Sequence, residues 1–330
     1  MRVERHPVPY GDHIAVVLAY AAAYQVLYPF MQSNWVITSG LRVSCLLLVP
    51  RRYWPALVLG EWIPIVEKTV TNAHKFGVMW AVTSSIPFIL VCIPVIGALL
   101  RRMPLHGRDG YLSIDTLLKI CLALSVVTAI EVNLASFPGY LTYPDPVKAW
   151  SENMVSFSLG MLLGNYLGTL TIVPMVIVLH EWISGRRRNL HWRSLLHEAI
   201  LIVVPYLSIV IATAKTDSFE AVTFAQLAIA LPVVSMTANH GRPGAALGAM
   251  LSSVAMHYVF SKELDPAMLR GEGMLAAVIT VALIATRPFR PVRTFRAYPA
   301  TKAYVDRASI FFKQGLARLP LRFRHPSQGR

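Results

Sequence analysis

Charge is scarce in this chain of 330 residues: only 15% are Asp, Glu, Lys or Arg, against roughly 25% in a soluble globular protein. With 55% of residues hydrophobic, a water-soluble fold is excluded. Cysteine is scarcer still. Cys45, Cys92 and Cys121 all lie inside apolar stretches without CxxC or Cys/His spacing, which excludes a disulfide framework and a zinc site. Catalytic signatures are missing as well. The ten histidines include no HExxH, and the chain has no GxSxG, no Walker loop and no GxGxxG after a strand. The pattern therefore predicts no enzyme, no metal, no cofactor and no nucleic-acid partner.

What the chain has in abundance is apolar runs. They fall near 13 to 31, 35 to 50, 53 to 66, 77 to 100, 114 to 137, 154 to 183, 195 to 213, 223 to 239, 243 to 260 and 273 to 286. At about 20 residues per membrane helix, ten spans leave only short loops. The expected fold is an all-α, polytopic membrane bundle of about ten transmembrane helices. The second, third and tenth runs are short. The first resembles a signal peptide at its start, but continues apolar through YQVLYPFM, which favours an uncleaved span.

An even number of spans puts both termini on one side, and the basic residues choose the side. With both ends cytoplasmic, the inner segments hold 23 Lys/Arg and the outer loops only six, Lys68, Lys75, Lys148, Lys215, Lys262 and Arg270. That asymmetry is the positive-inside pattern. Trp35, Trp54, Trp80, Trp150, Trp182 and Trp192 flank predicted span ends, where an indole bridges headgroup and hydrocarbon. Trp62 falls inside the third span and is expected to pack internally.

Three parts result: a cytoplasmic N-terminus at 1–12, a membrane domain at 13–286 and a basic cytoplasmic tail at 287–330. The tail holds eleven Lys/Arg and a single acid, Asp306. Over 304–319 it reads as an amphipathic helix, with Tyr304, Phe311, Phe312 and Leu319 on one face and Arg307, Lys313 and Arg318 on the other. Such a helix is expected to lie on anionic lipid.

Few charges fall at membrane depth, where each costs roughly 3 kcal/mol or more unless paired or facing a polar cavity. Arg42 lies nine residues before Arg51, and Glu61 lies nine after Arg52. Both therefore sit about 13 Å above the same turn at 1.5 Å per residue, and they can pair. Two readings follow: a salt bridge fixing the register of two helices, or an anion site at Arg42 oriented by Glu61. Glu131, with Asn133 close by, falls toward the outer leaflet and reads as an interfacial carboxylate or an outward-facing ligand or proton site. Gly160, Gly164 and Gly168 recur every four residues, a stripe that lets another helix approach closely. Asn165 and Tyr166 beside it can bond a ligand or bridge helices, and Pro174 is expected to kink the sixth span.

The stretch from Trp35 through VITSGLRVSCLLLVPRRYWPALVLGEW, the glycine-striped helix with Pro174, and LPVVSMTANHGRPGAALGAMLSS at 231–253 resemble the membrane-associated sensor domains of bacteria, the first family of that name. The resemblance runs over about 10–286. It implies a sensory input module in the inner membrane, of the kind joined in that family to a histidine kinase or a cyclic-dinucleotide enzyme. This chain shows neither output domain, so the implied module signals through a partner protein. The expected partners are the bilayer with its anionic lipid, a membrane or cytoplasmic signalling protein, and a further copy of the chain. Two other readings stay open: a secondary transporter of a small solute, anionic if Arg42 forms its midplane site, and a non-catalytic assembly subunit.

Overall fold

A computed structural model describes residues 10–31, 35–105, 112–141, 146–185, 192–215, 219–259 and 266–286, with the backbone alone for 146–153, 219–220 and 266–267. The chain divides into two compact units, Met1–Arg287 and Pro288–Arg330. The second, with Arg307, Lys313, Arg318 and the predicted tail helix, lies outside the described residues.

Among the described residues the structure is helical, with no strand. The elements are α1 (Tyr10–Leu27), α2 (Ile37–Leu48), α3 (Trp54–Phe76), α4 (Val78–Ser84), α5 (Ile89–Arg102), α6 (Ile114–Tyr140), α7 (Pro146–Ile183), α8 (Trp192–Glu198), α9 (Val204–Ala214), α10 (Phe219–His240), α11 (Arg242–Val259) and α12 (Pro266–Ala285). Every apolar run of the sequence contains helix, but seven stretches are long and apolar enough to cross a membrane by length and composition. The other three fall short for distinct reasons. Helix α2 has 12 residues, α3 carries Glu61, Glu67, Lys68 and Lys75, and α11 is rich in Gly, Ala and Ser.

Several boundaries differ from the sequence reading. Helix α3 runs ten residues past the expected end at 66, because its polar side chains find partners at the end of α1 and just after it: Gln25 Nε2 of α1 donates to Glu67 at 2.6 Å, and Lys68 Nζ lies 3.1 Å from the ring centroid of Tyr28, which follows α1. The fourth run is two helices rather than one. Pro87 has no N–H for the ladder and biases Ile86 away from helical backbone, so α4 stops at Ser84 and α5 starts at Ile89. Helix α7 passes through Pro174 without a break. Between α8 and α9, Ala199–Val203 form a π turn just ahead of Pro205, which would otherwise interrupt the i→i+4 ladder.

The sharp reversals use glycine where only glycine is unstrained: Gly77 (φ 87°) joins α3 to α4, and Gly241 (φ 62°) joins α10 to α11. Two apolar cores result. One gathers Tyr20, Tyr24, Val43, Leu57, Ile89, Ile96 and Ile120 from α1, α2, α3, α5 and α6; the other gathers Val210, Ile229, Val233, Met236, Leu275 and Ile279 from α9, α10 and α12, with Ala245 and Met256 from α11. Helix α7 belongs to both, with Leu167 and Leu170 in the second and Val173 and Ile177 in the first. The outside is apolar too, with Leu59, Ile63, Ile200, Leu231 and Ile284 exposed, the inverse of a water-soluble surface and the expectation for one facing lipid.

Three of the tryptophans differ from the sequence reading. Trp35 is 6% exposed; its Nε1 donates to Thr171 of α7 at 3.2 Å, and its ring meets His257 of α11 edge-on. It is a core residue because α2 is too short to carry its own start to the membrane surface. Trp54 is also buried, whereas Trp62, expected to pack internally, is 47% exposed on the outer face of α3.

Candidate functional site

Arg42 of α2 and Glu61 of α3 meet inside the bundle, with side chains 2% and 0% exposed. Arg42 donates to Glu61 Oε1 from Nε at 2.9 Å and from Nη2 at 2.5 Å. The other carboxylate oxygen, Oε2, accepts the Ile89 N–H at 3.1 Å. Ile89 is the first residue of α5, so Glu61 satisfies one of the free N–H groups that the Pro87 break creates. Negative charge also suits the positive end of the helix dipole. The Phe88 ring, in the break itself, lies 5.2 Å below the guanidinium carbon, a cation–π contact.

Arg42 also reaches α7. Its Nη1 lies 3.5 Å from Ser39 Oγ, Ser39 Oγ donates to Asn165 Oδ1, and Asn165 Nδ2 donates to the Met161 carbonyl at 2.6 Å. Two glycines let α7 come so close. A Cβ on Gly168 would collide with the Val36 carbonyl, and one on Gly40 with the Gly168 carbonyl and Ile172. The Gly164 carbonyl accepts the Val36 N–H at 3.0 Å, and Gly160 is buried one turn earlier.

Glu131 of α6 arrives at the same height. Below it, Thr128 Oγ1 contacts Cys92 Sγ of α5 at 3.7 Å; above it, the Ala135 carbonyl accepts from Thr83 and Ser84 of α4 at 3.1 and 3.3 Å. Between these contacts, on the same face of α6, Glu131 is turned toward α4 and α5. Both its carboxylate oxygens are buried and without a hydrogen-bond partner among the described residues. Asn133 instead turns to α7, accepting from Ser158 Oγ at 2.8 Å.

The structure thus brings Arg42 and Glu61 together at the helix break, links Asn165 to Arg42 through Ser39, and puts Glu131 on the face of α6 toward α4 and α5. The chemistry is that of a charged latch. Two donors of Arg42 and both oxygens of Glu61 are spent on each other and on the α5 terminus, which leaves Glu131 as the one uncommitted polar group of the four. Tyr166 has another task, its hydroxyl meeting Thr280 of α12 at 3.1 Å.

The MASE1 family model matches residues 8–258. The chain belongs to the MASE1 family. All four residues of the latch lie within the matched stretch, and α12 lies beyond it. Among curated proteins, the signal transduction histidine-protein kinase/phosphatase UhpB of Salmonella typhimurium is 26% identical over 241 residues, which cover 70% of this chain and 40% of UhpB. No solved structure matches. As a MASE1 domain with seven membrane-crossing candidates, the molecule is a multi-pass sensory module of a bacterial inner membrane.

Two features, one at the latch and one away from it, are not evident from the sequence. One is the break at Phe88–Ile89, signalled by Pro87 inside a long apolar run. The other is Glu272 in α12. The sequence reading began the tenth span at 273, outside Glu272, whereas α12 begins at Pro266 and Glu272 is 0% exposed. Proline at a first helical position was the signal that places that start.

Proposed function

We propose that this module senses through the latch at the α4–α5 break and passes its state to a cytoplasmic signalling protein, without catalytic chemistry of its own. The observation that carries the reading is the Glu61 bridge, which joins three helices at one point: α3 by its own backbone, α2 through Arg42 and α5 through the Ile89 N–H. A stimulus that neutralises Glu131 or displaces Glu61 changes the hold on the start of α5. A rigid helix carries that change about 20 Å to Arg101 and Arg102, at 1.5 Å per residue. A transporter reading is weaker, because the polar groups at this depth are mostly committed to one another and few remain to coordinate a substrate and a coupling ion.

In the proposed orientation both termini and the cationic loops are cytoplasmic. Photocrosslinking residues placed at 188 and 296 in intact cells should capture a signalling kinase or cyclase and stay out of reach of an impermeant labelling reagent. Labelling from outside would refute the orientation, and adducts containing no signalling protein would refute the partner.

The tail is proposed to bind anionic lipid through Arg307, Lys313 and Arg318. At about 1 kcal/mol per basic residue near such a surface, the peptide 300–324 should become helical on anionic vesicles. Salt should weaken that binding as the Debye length shrinks. Circular dichroism with equal helicity on neutral vesicles would exclude the electrostatic anchor.

A further inference from the structure

Two contacts fix how α6 lies along α4 and α5. Cys92 of α5 meets Thr128, and Ser84 of α4 donates to the Ala135 carbonyl. The two stretches run antiparallel and nearly residue for residue, so the position level with Glu131 is Phe88 or Ile89. A helical side chain leans toward the start of its own helix, which carries the Glu131 carboxyl toward Ile89 rather than back toward Ser84. Glu61 reaches the Ile89 N–H from α3 at 3.1 Å while holding Arg42. Two carboxylates therefore come to the start of α5 at one depth, one from α3 and one from α6.

They differ in what holds them. Glu61 is 0% exposed and has both oxygens engaged. Glu131 has both oxygens buried and without a hydrogen-bond partner among the described residues, yet the residue keeps part of its surface open. It lies within a membrane-crossing candidate, Ile114–Tyr140, where an ionised carboxylate without a donor is costly. A proton removes that cost and needs neither a cavity nor a second ligand. The surroundings supply little else that titrates. Helix α4 offers the Thr83 and Ser84 hydroxyls, α5 the Cys92 thiol, and α7 Ser158, which is bonded to Asn133. Helix α12 meets α6 near its start, where Leu117 and Leu283 line one cleft. The charges at this depth are Glu61 and Arg42.

We propose that Glu131 is a proton-binding site that regulates the latch. Protonated, it leaves Arg42 and the start of α5 to Glu61; ionised, it competes with Glu61 for the same positive groups and loosens the hold on α5. The inference rests on the latch being the sensing centre and names its stimulus as protons. Proton binding is read on the purified chain, apart from any signalling partner.

The test uses the full chain in lipid nanodiscs, titrated from pH 5 to pH 9. Infrared difference spectra should show a carboxylic acid C=O stretch that disappears as the pH rises. The band should be missing in Glu131→Gln and kept in Glu272→Gln. Over the same range, hydrogen exchange of amides 88–92 should rise in wild type relative to Glu131→Gln, by up to about tenfold per pH unit for a single linked proton. Glu131→Gln imitates the protonated state and should stay protected throughout. If it does not fold, Glu131→Asp decides, because it keeps a titrating carboxyl and should move the band. A titrating band that survives Glu131→Gln, or that Glu131→Asp leaves in place, overturns the proposal, as do α5 amides indifferent to the Glu131 titration. Should Glu61→Gln loosen the α5 amides while no band belongs to Glu131, the latch stands and the proton site falls.

Discussion

Arg42→Met should unfold this membrane domain more readily than Arg42→Met combined with Glu61→Gln. The single change strands a carboxylate that is 0% exposed, at roughly 3–5 kcal/mol for breaking a buried pair from one side. The double change leaves no charge, and the Gln carbonyl still accepts the Ile89 N–H now held at 3.1 Å by Glu61. Glu61→Met should be worse than Glu61→Gln, because it also orphans that N–H, at about 1–3 kcal/mol. The measurement is the midpoint of thermal unfolding in detergent for the four variants. Losses that simply add across the two sites would mean that the pair is not a unit.

Gly168→Ala should be nearly as damaging, although it adds one methyl group. The added Cβ meets the Val36 carbonyl, and no flexible side chain is there to yield. Helix α7 must back away from the start of α2, which loosens the Ser39–Asn165 hydrogen bond. Overpacking of this kind costs roughly 1–3 kcal/mol or more. Gly97→Ala in α5 is the control, since nothing lies within 4 Å of its Cβ position and a helical Gly→Ala change gains about 0.5–1 kcal/mol. Equal melting temperatures for the two variants would show that the α2–α7 contact is not tight.

How much of this was legible in the sequence depends on whether the signal was local. The membrane class followed from composition, and the depth match of Arg42 and Glu61 followed from counting nine residues each way from one turn. What α5 contributes did not, because capping of Ile89 by Glu61 depends on how α3 lies against a helix that Pro87 has cut in two. Trp35 misled for a related reason. A tryptophan at the end of an apolar run reads as interfacial, yet α2 is 12 residues long, about 18 Å at 1.5 Å per residue, so its start lies within the bundle. Glu272 was hidden by its flanks: Arg270, Gly271 and Gly273 make a helix start look like a loop. Burial of a lone carboxylate is a tertiary fact that periodicity does not record.

The close seating of α2 on α7 sets an order of events during biosynthesis. Arg42 and Glu61 are 19 residues apart, so their charges can neutralise each other as a hairpin while the chain is still leaving the ribosome. Gly40 has to wait for Gly168, about 130 residues later, or roughly 6–26 s at 5–20 residues per second. Through that interval the flank of α2 that ends against α7, with Ser39 and the Val36 N–H, has no permanent neighbour. It must be sheltered by the insertion machinery or by lipid until the seventh helix emerges.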